Sequence, residues 1–409
     1  MTANIDRQEG NRLSREDALE HAALAAGQGV AAQLAGLERW EKARIRRKPV
    51  EIFDINGDVL FFDYSVVRSG EIVGTVRTAA SRVIGTPVVA HIVGPNLWDF
   101  DDAVEKLTPK VEKAHPKWKI RSTRLVCYSY PKLGVMFDMT DATGKLARLI
   151  YDVADYTRVP EETPEAGERE GCYAWSFYDS LSLEEQTARL ARYDEFDQVR
   201  LLRSAEGRGL LQTETSVDKL ASAVKATITI PVIRQLQFCA HYASTEARSH
   251  HCFVVHAQQK NDYCAVATCQ MVLCYYRYYY TQDNIAPALG YSSGGCPSDQ
   301  SPGYRSLSCN HLAATYDTSP TWEEANTEIG NLHPLKTGIA GHARACAGVS
   351  SILNIPMPLG PGAASITNKK LYVYDPWPWN ADYKLGGQIY WEEWSAVTHT
   401  NYVFTKLQY

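Results

Sequence analysis

The chain has 409 residues, of which 45% are hydrophobic, and it carries a formal net charge of -5. A chain of this size can bury cores for two or three domains without help from disulfides or metals. The chain has no excess of basic residues, which would favour binding to nucleic acid or to an anionic membrane, so we expect neither as a partner.

The N-terminal sequence bears on location. The stretch MTANIDRQEGNRLSREDALEHAALAA is interrupted by charges and lacks the apolar centre of a signal peptide. No uninterrupted apolar run approaches the roughly 18 residues of a membrane-spanning helix. We therefore expect a cytoplasmic protein as the chain stands, and an extracellular one if a leader has been removed.

The density of charge changes along the chain. Residues 231–409 hold 11 Lys or Arg and 12 Asp or Glu, whereas residues 1–230 hold 31 and 35. Two kinds of domain are therefore expected. We place an N-terminal domain at 1–158, a linker or helical arm at 159–230 and a C-terminal domain at 231–409.

The N-terminal domain begins with a predicted helix. Ser14 followed by Asp17 is a capping-box pattern, and the run after it is rich in Ala, Leu and Glu as far as Arg47. The two glycines within 27–29 predict a break in this helix. This helix is expected to pack on the antiparallel sheet that follows.

A series of strands follows that helix. VEIFDI and DVLFFDYSVV flank Asn56-Gly57, a strong hairpin signal, and Ser69-Gly70 marks a second turn into EIVGTVRTAA. DDAVEKLTPKVEKA predicts a helix, and IRSTRLVCYSY, LGVMFDMTD and ARLIYDVADYTRV predict further strands. We expect an α+β domain in which helices pack on an antiparallel sheet.

The predicted arm has two parts. PEETPEAGEREG, at 160–171, is charged and rich in Pro and Gly, as exposed connectors are. LSLEEQTARLARYDEFDQVRLL then predicts an amphipathic helix, and the polar SAEGRG follows at 204–209. An exposed arm of this kind is a candidate site for cleavage.

Cys264 is the strongest candidate for chemistry. The polar loop QQKNDY meets the helical run CAVATCQMVLCYYRYYY, predicted as a helix over 264–280, and Cys264 lies at the junction. Free backbone N–H groups and the positive end of the dipole at a helix start favour a thiolate, which is the nucleophilic form. Cys269 and Cys274 lie deeper in the helix and are expected to pack as small hydrophobic residues.

A thiolate that attacks an amide needs a base, a group that orients the base and donors for the oxyanion. Gln258, six residues before Cys264, can offer an amide donor, and Gln259 competes for that role. His342 lies in GHARACAGV, within a strand predicted over 338–350. Asp375 ends the predicted strand LYVYD, just before a proline.

Gln258, Cys264, GHARACAGV and YVYDPW, in this order, resemble the papain-like cysteine peptidases, in particular the bacteriocin-processing branch, in which Asp takes the place of papain's Asn. The resemblance covers about residues 231–409. It implies Cys264 as nucleophile, His342 as general base and acid, Asp375 as its orienting group and Gln258 as oxyanion donor. It also implies two lobes, one helical and one an antiparallel β lobe, with a peptide bound in the cleft between them.

The N-terminal domain resembles the helix-plus-sheet propeptides of secreted bacterial peptidases. This implies a zymogen, in which an intramolecular pro-region is released by self-processing within the arm. Together these resemblances imply a cysteine endopeptidase that acts on peptide or protein substrates. No cofactor is expected, because no phosphate loop or dinucleotide fingerprint is present.

Other interpretations remain for these residues. Cys264 and His342 could be structural core residues, Asp375 an ordinary strand-end turn and Gln258 an exposed loop residue. Cys296 and Cys309 could form a disulfide or stay free, and their spacing to His311 matches no usual zinc pattern.

Two rival functions remain as well. The same thioester could be passed to an amine, as in a peptide ligase. A silent binding protein on this scaffold is the other rival, and Ala265, where the branch usually has Gly, keeps it open.

Overall fold

The computed structural model describes residues 10–161, 169–197, 216–225, 228–235, 253–354 and 366–408. Within these ranges the protein is mixed α+β, which confirms the predicted class, and it holds nine α-helices. The helices are α1 Arg15–Ala31, α2 Phe100–Ala114, α3 Phe177–Ser180, α4 Leu183–Phe196, α5 Val217–Lys225, α6 Cys264–Tyr275, α7 Gln282–Ala288, α8 Ser301–Leu307 and α9 Trp322–Gly330.

The strands of the described ranges build one large sheet and one small one. The strands are β1 Arg44–Ile45, β2 Val50–Asp54, β3 Val59–Arg68, β4 Glu71–Ala79, β5 Val88–Val93, β6 Trp118–Ser129, β7 Lys132–Asp141, β8 Leu146–Asp152, β9 Arg169–Glu170, β10 Ile228–Gln235, β11 Cys296–Pro297, β12 Leu312–Asp317, β13 Leu335–Ile339, β14 His342–Asn354, β15 Ile366–Asp375, β16 Gln388–Glu393 and β17 His399–Leu407.

The large sheet has 15 strands and runs through both halves of the chain. Its order is β12-β17-β13-β14-β15-β16-β5-β4-β3-β2-β6-β7-β8, with β1 beside β3 and β10 beside β14. All of its pairings are antiparallel except β2 with β6. The β5–β16 pairing therefore joins the strands of the N-terminal half to those of the C-terminal half.

The hydrophobic cores are shared in the same way. One cluster contains Trp40 and Tyr64 together with Val266 and Met271, so it draws on both halves. A second cluster likewise combines residues of β3 and β7 with residues of β15 and β16. The Trp391 indole N–H also donates to the carbonyl oxygen of Ala35 at 3.0 Å. The two halves are thus packed on each other as one body of sheet and core.

The hairpins predicted in the N-terminal half are present. β2 and β3 flank Asn56-Gly57, and Gly57 has a φ of 101° that favours glycine. Ser14 caps α1 by accepting the backbone N–H of Asp17 at 3.0 Å. The predicted break at 27–29 is wrong, because α1 continues to Ala31. Gly27 instead allows close packing, since a Cβ there would lie 2.8 Å from Leu220.

Several C-terminal elements differ from prediction in their bounds. α6 begins at Cys264 as expected but ends at Tyr275, short of the predicted residue 280. The strand predicted over 338–350 is in fact the end of β13 and most of β14, since Gly341, with a φ of 70°, turns the chain between them. α6 is buried at every position except Cys274, so it forms a central helix of the fold.

Among the residues described, none is part of a helix that is both long and apolar enough to cross a membrane.

Candidate active site

A buried histidine–carboxylate pair marks the candidate site. His342 is the first residue of β14 and Asp375 the last residue of β15, and because these strands are antiparallel the two positions lie at the same edge. His342 Nε2 lies 2.8 Å from Asp375 Oδ1. Both side chains are completely buried. Strand pairing therefore brings together two residues that are 33 positions apart in the sequence.

Asp375 is held in place from two further directions. Its Oδ1 accepts the backbone N–H of Trp377 at 2.8 Å, and its Oδ2 accepts the Tyr390 hydroxyl at 2.7 Å. Burial works against ionisation, but His342, Arg344 and these contacts hold the pKa of Asp375 below its usual value. The carboxylate is therefore charged and fixed.

His342 is neutral and has one nitrogen free. Burial lowers the pKa of His342 to about 4, helped by the charge of Lys132 and opposed by Asp375. Because Nε2 faces a carboxylate, we assign the proton to Nε2, which leaves Nδ1 as an acceptor. Nδ1 has no hydrogen-bond partner within the described ranges. The imidazole can therefore accept a proton at Nδ1 while Asp375 holds the other side.

Cys264 lies at the start of α6, against the backbone of Ala343 at the start of β14. Its thiol is completely buried, and backbone N–H groups of Ala343 and Ala265 stabilise its charged form. Ala343 directly follows His342, and the Thr268 hydroxyl of α6 donates to its carbonyl oxygen at 3.2 Å. The structure thus brings Cys264 to the beginning of β14, where His342 lies.

The thiol is protonated at rest. Burial raises the pKa of Cys264, and Glu170 adds to the rise, whereas Lys132 and the two N–H groups oppose it. The helix start alone would favour the thiolate. In the folded protein, full burial of the thiol outweighs that stabilisation and keeps the pKa above its usual value.

Gln258 is buried beside the same loop. Its side-chain Nε2 donates to the carbonyl oxygens of Lys260 and Asn261, at 3.1 and 2.8 Å, and its backbone N–H donates to Pro376 O at 2.9 Å. Its Oε1 is buried without a partner among the described residues. The amide therefore anchors the loop before Cys264, and its role as oxyanion donor stays a prediction.

The competing donor, Gln259, is directed elsewhere. Its side-chain Nε2 donates to Ala381 O at 2.7 Å, and this contact is exposed. Its backbone N–H donates to the side chain of Gln282. The geometry thus favours Gln258 over Gln259 as the buried amide of the site.

Lys132 is a site residue that the sequence did not reveal. It is completely buried, and its ammonium donates to the carbonyl oxygens of Gly171 and Gly341. Its charge favours the Cys264 thiolate and disfavours protonation of His342. A lysine at the start of a strand in the N-terminal half carries no local signal for such a role.

Residues 169–173, which we name the cleft segment, lie over the site. β9 within this segment pairs with β11, and the Gly171 N–H donates to Gly341 O at 3.2 Å. The Tyr173 hydroxyl lies close enough to Cys264 for its pKa to be raised, after burial, by the thiolate charge. The candidate site is therefore covered by the N-terminal half of the chain.

The other candidates for chemistry are the remaining cysteines and the possible metal ligands. The eight cysteines within the described ranges are all free, with Cys296 buried and Cys309 exposed. In the same ranges no group of three or more His, Cys, Asp or Glu is arranged to hold a metal. Of the predicted arm, residues 162–168, 198–215 and 226–227 lie outside the described residues.

The chain was compared with protein families and with curated proteins. No family model matches it, and no curated protein matches it either.

Proposed function

We propose that the protein is a cysteine endopeptidase with a papain-like C-terminal half. The observation that carries the proposal is the buried His342–Asp375 pair, whose free Nδ1 belongs to a residue adjacent to the Ala343 N–H that contacts Cys264. Helices α6 to α8 would form one lobe, and strands β12 to β17 the other. The cleft between these lobes would bind an extended peptide.

The reaction would proceed through a thioester. As Cys264 Sγ attacks the peptide carbonyl carbon, His342 Nδ1 takes the thiol proton and Asp375 stabilises the resulting imidazolium. The C–N bond breaks, and His342 returns the proton to the leaving amine. Water then attacks the thioester, again with His342 as base, and releases the carboxylate product and the free thiol.

The developing oxyanion needs donors that are already in place. The N–H of Cys264 or of its neighbours at the start of α6 is one candidate, and the Gln258 amide is another if it turns from the loop carbonyls. Lys132 is a third, because its ammonium already donates to the Gly171 carbonyl and its charge favours the Cys264 thiolate. A buried ammonium at this point would stabilise negative charge strongly, since little solvent screens it.

The burial of the site supports a latent enzyme. Cys264 and His342 are both completely buried, and residues of the N-terminal half lie over them. A substrate added from outside cannot reach the thiol in this state. We therefore propose that the chain acts first on itself, and that this cut opens the cleft.

The experiment compares the purified full chain with Cys264→Ala and with Cys309→Ala, a control at an exposed cysteine. Each protein is kept under reducing conditions, and its intact mass is followed over time, alone and with added casein. Wild type and Cys309→Ala are expected to cut within 159–230 and to degrade casein, whereas Cys264→Ala does neither. Equal cleavage by all three, or no cleavage of either substrate by wild type, would refute the peptidase function.

A further inference from the structure

We propose that the cleft segment is the protein's own first substrate and that Cys264 cuts the bond between Gly171 and Cys172. This rests on the peptidase function proposed above and adds two elements, the cleavage site and the residue types that the cleft selects. The predicted exposed connector at 160–171 ends at this bond.

The backbone of the cleft segment is held from two sides. In β9, Glu170 pairs with Cys296 and Arg169 with Pro297 of β11, in an antiparallel register. On the other side, the Gly171 N–H donates to Gly341 O, the carbonyl just before His342. An extended chain that adds backbone hydrogen bonds to the walls around it is a common mode of peptide recognition.

The position of Gly171 accepts only glycine. A Cβ at this residue would lie 1.8 Å from the carbonyl oxygen of Gly294, and a Cβ at Gly295 would lie 2.0 Å from the carbonyl oxygen of Glu170. These separations are far below van der Waals contact, and both partners are backbone atoms. The close approach of the two chains therefore selects glycine immediately before the proposed cut.

Glu170 fills a pocket that is built for a carboxylate. Its Oε1 accepts from the Lys336 ammonium and from Asn401 Nδ2, the latter at 3.2 Å, and its Oε2 accepts from Gln300 Nε2 at 2.6 Å. All four side chains are buried, with at most 1% of each residue exposed. Lys336, Gln300 and Asn401 belong to the C-terminal half, so the pocket is part of the proposed peptidase and Glu170 is its occupant.

The charge of the pocket explains why it needs an acidic residue. Lys336 is completely buried, and its ion pair within the described ranges is with Glu170. A buried ammonium without a counter-charge is strongly unfavourable. A peptide that replaces the cleft segment would therefore have to supply a carboxylate at this position, and the favoured sequence is an acidic residue followed by glycine.

The carbonyl of Gly171 lies where the chemistry would occur. Its oxygen accepts from the Lys132 ammonium, and the charges of Lys132 and Glu170 both act on Cys264. Tyr173, on the other side of the bond, is also close to the thiol. Glu170 and Tyr173, which lie on either side of this bond, thus both interact electrostatically with Cys264, and the Lys132 ammonium polarises the Gly171 carbonyl between them.

The step balances without any further reactant except water. Cys264 Sγ bonds to the Gly171 carbonyl carbon, and its proton passes through His342 to the nitrogen of Cys172 as the peptide bond breaks. Water then releases Gly171 as a free carboxylate. One product ends at Gly171 and the other begins at Cys172, and the shared sheet is expected to keep them associated.

The test follows self-cleavage of the full chain by intact mass and identifies the new termini. Gly171→Ala introduces the clash with Gly294 and Glu170→Gln removes the carboxylate, so each is expected to slow the cut at least tenfold. Gly10→Ala, where a Cβ meets nothing within 4 Å, and Glu161→Gln, at the surface pair with Arg148, are the matched controls. Both controls are expected to cut at the wild-type rate.

A further variant separates recognition from folding. Glu170→Gln leaves Lys336 without its counter-charge, so Glu170→Gln with Lys336→Met removes both charges, and thermal melting monitors the fold. This folded double variant should remain slow to cut. A peptide with the sequence of residues 166–176 should also be hydrolysed by the cut enzyme at least tenfold faster than its Glu-to-Gln counterpart.

The outcomes separate this inference from the peptidase function. A cut that depends on Cys264 but falls at another bond would overturn the Gly171 site and leave the peptidase function standing. Wild-type cutting rates in Gly171→Ala and in both Glu170 variants would overturn the selection of residues. If wild type does not cut itself but hydrolyses casein, this inference and the proposed latency fail while the peptidase function stands, and if it cuts neither, the peptidase function fails as well.

Discussion

Two buried pairs of opposite character lie in the two halves of the molecule. Arg77 and Asp63 face each other on β4 and β3 and form two parallel bonds, Nε to Oδ1 and Nη2 to Oδ2, each 2.9 Å long. His342 and Asp375 form a single hydrogen bond of 2.8 Å, and Nδ1 of the imidazole has no hydrogen-bond partner among the described residues. We call the first pair closed, because its two side chains form two bonds with each other, and the second pair open, because one ring nitrogen can still accept a proton.

The pKa values move in opposite directions. Burial disfavours the charge on Arg77, but Asp63 more than offsets this and raises the pKa of Arg77. Burial outweighs Asp375 at the other pair, so the pKa of His342 falls to about 4. A closed ion pair stabilises a fold, whereas a neutral imidazole with an unpaired ring nitrogen can accept a proton. Substitutions at the two pairs should therefore affect different properties.

The largest effect is expected at the open pair. His342→Gln keeps an amide N–H that can donate to Asp375 but removes the base, so self-cleavage should slow by about 10²–10⁴-fold, the range attributed to general acid–base catalysis. The free energy of unfolding should change little. Intact mass over time gives the rate, and urea denaturation gives the stability.

His333→Gln is the matched control for that variant. His333 also contacts a carboxylate, Glu328, at 2.8 Å, but this pair is partly exposed and lies outside the cleft. Its substitution should leave the rate unchanged. A rate for His342→Gln within tenfold of wild type would remove His342 from the mechanism.

The closed pair should show the reverse pattern. Asp63→Ala leaves the Arg77 charge buried and unpaired, so the free energy of unfolding should fall by about 3–5 kcal/mol. The cutting rate of the molecules that remain folded should not change. Glu71→Ala, at the exposed pair with Arg39, should cost less than about 1 kcal/mol. Equal losses in the two variants would show that Arg77 is not held as a buried ion pair.

A smaller decrease in the cutting rate is expected at Gln258, the candidate oxyanion donor. Gln258→Ala should slow cutting by about 10²–10³-fold if the amide stabilises the oxyanion. Gln259→Ala removes an exposed contact with Ala381 and should act like wild type. If Gln258→Ala keeps more than half of the wild-type rate, the amide serves only to anchor the loop at Lys260 and Asn261.

Much of the local structure could be predicted from the sequence. Asn56-Gly57 predicts a hairpin because few other pairs of residues favour its turn, and Ser14 predicts a helix start because its side chain meets a free N–H. The start of β14 at His342 was harder to predict. Gly341 turns the chain there, but a single glycine inside an apolar run does not distinguish a hairpin from one long strand.

The contacts between distant segments could not be predicted. The β5–β16 pairing joins residues about 300 positions apart, and no local pattern specifies it. Lys132 lies in the turn between two predicted strands, and Glu170 lies in the predicted exposed connector. Their burial follows only from the partners that the folded C-terminal half supplies, Gly341 and Lys336.

The last comparison concerns acid, which should affect the stability of the two halves differently. Burial lowers the pKa of His256 to about 3 and that of His342 to about 4, so below the usual value of 6.5 the unfolded chain binds more protons than the folded one. By linkage, the stability of the C-terminal half should fall as the pH drops from 6.5 towards 4. Each such group contributes up to about 1.4 kcal/mol per pH unit.

In the N-terminal half these shifts largely cancel. The pKa of His91 is lowered to about 3 by burial, but burial also raises the pKa values of Asp54 and Asp155 to about 6, so the folded state takes up their protons first. Acid should therefore loosen β14 and β15 before β3 and β4. Hydrogen exchange at about pH 7 and pH 5, corrected for its intrinsic pH dependence, measures this difference. Earlier loss of protection in β3 and β4 would contradict the proposed balance of buried groups, because the carboxyls of that half oppose its histidine.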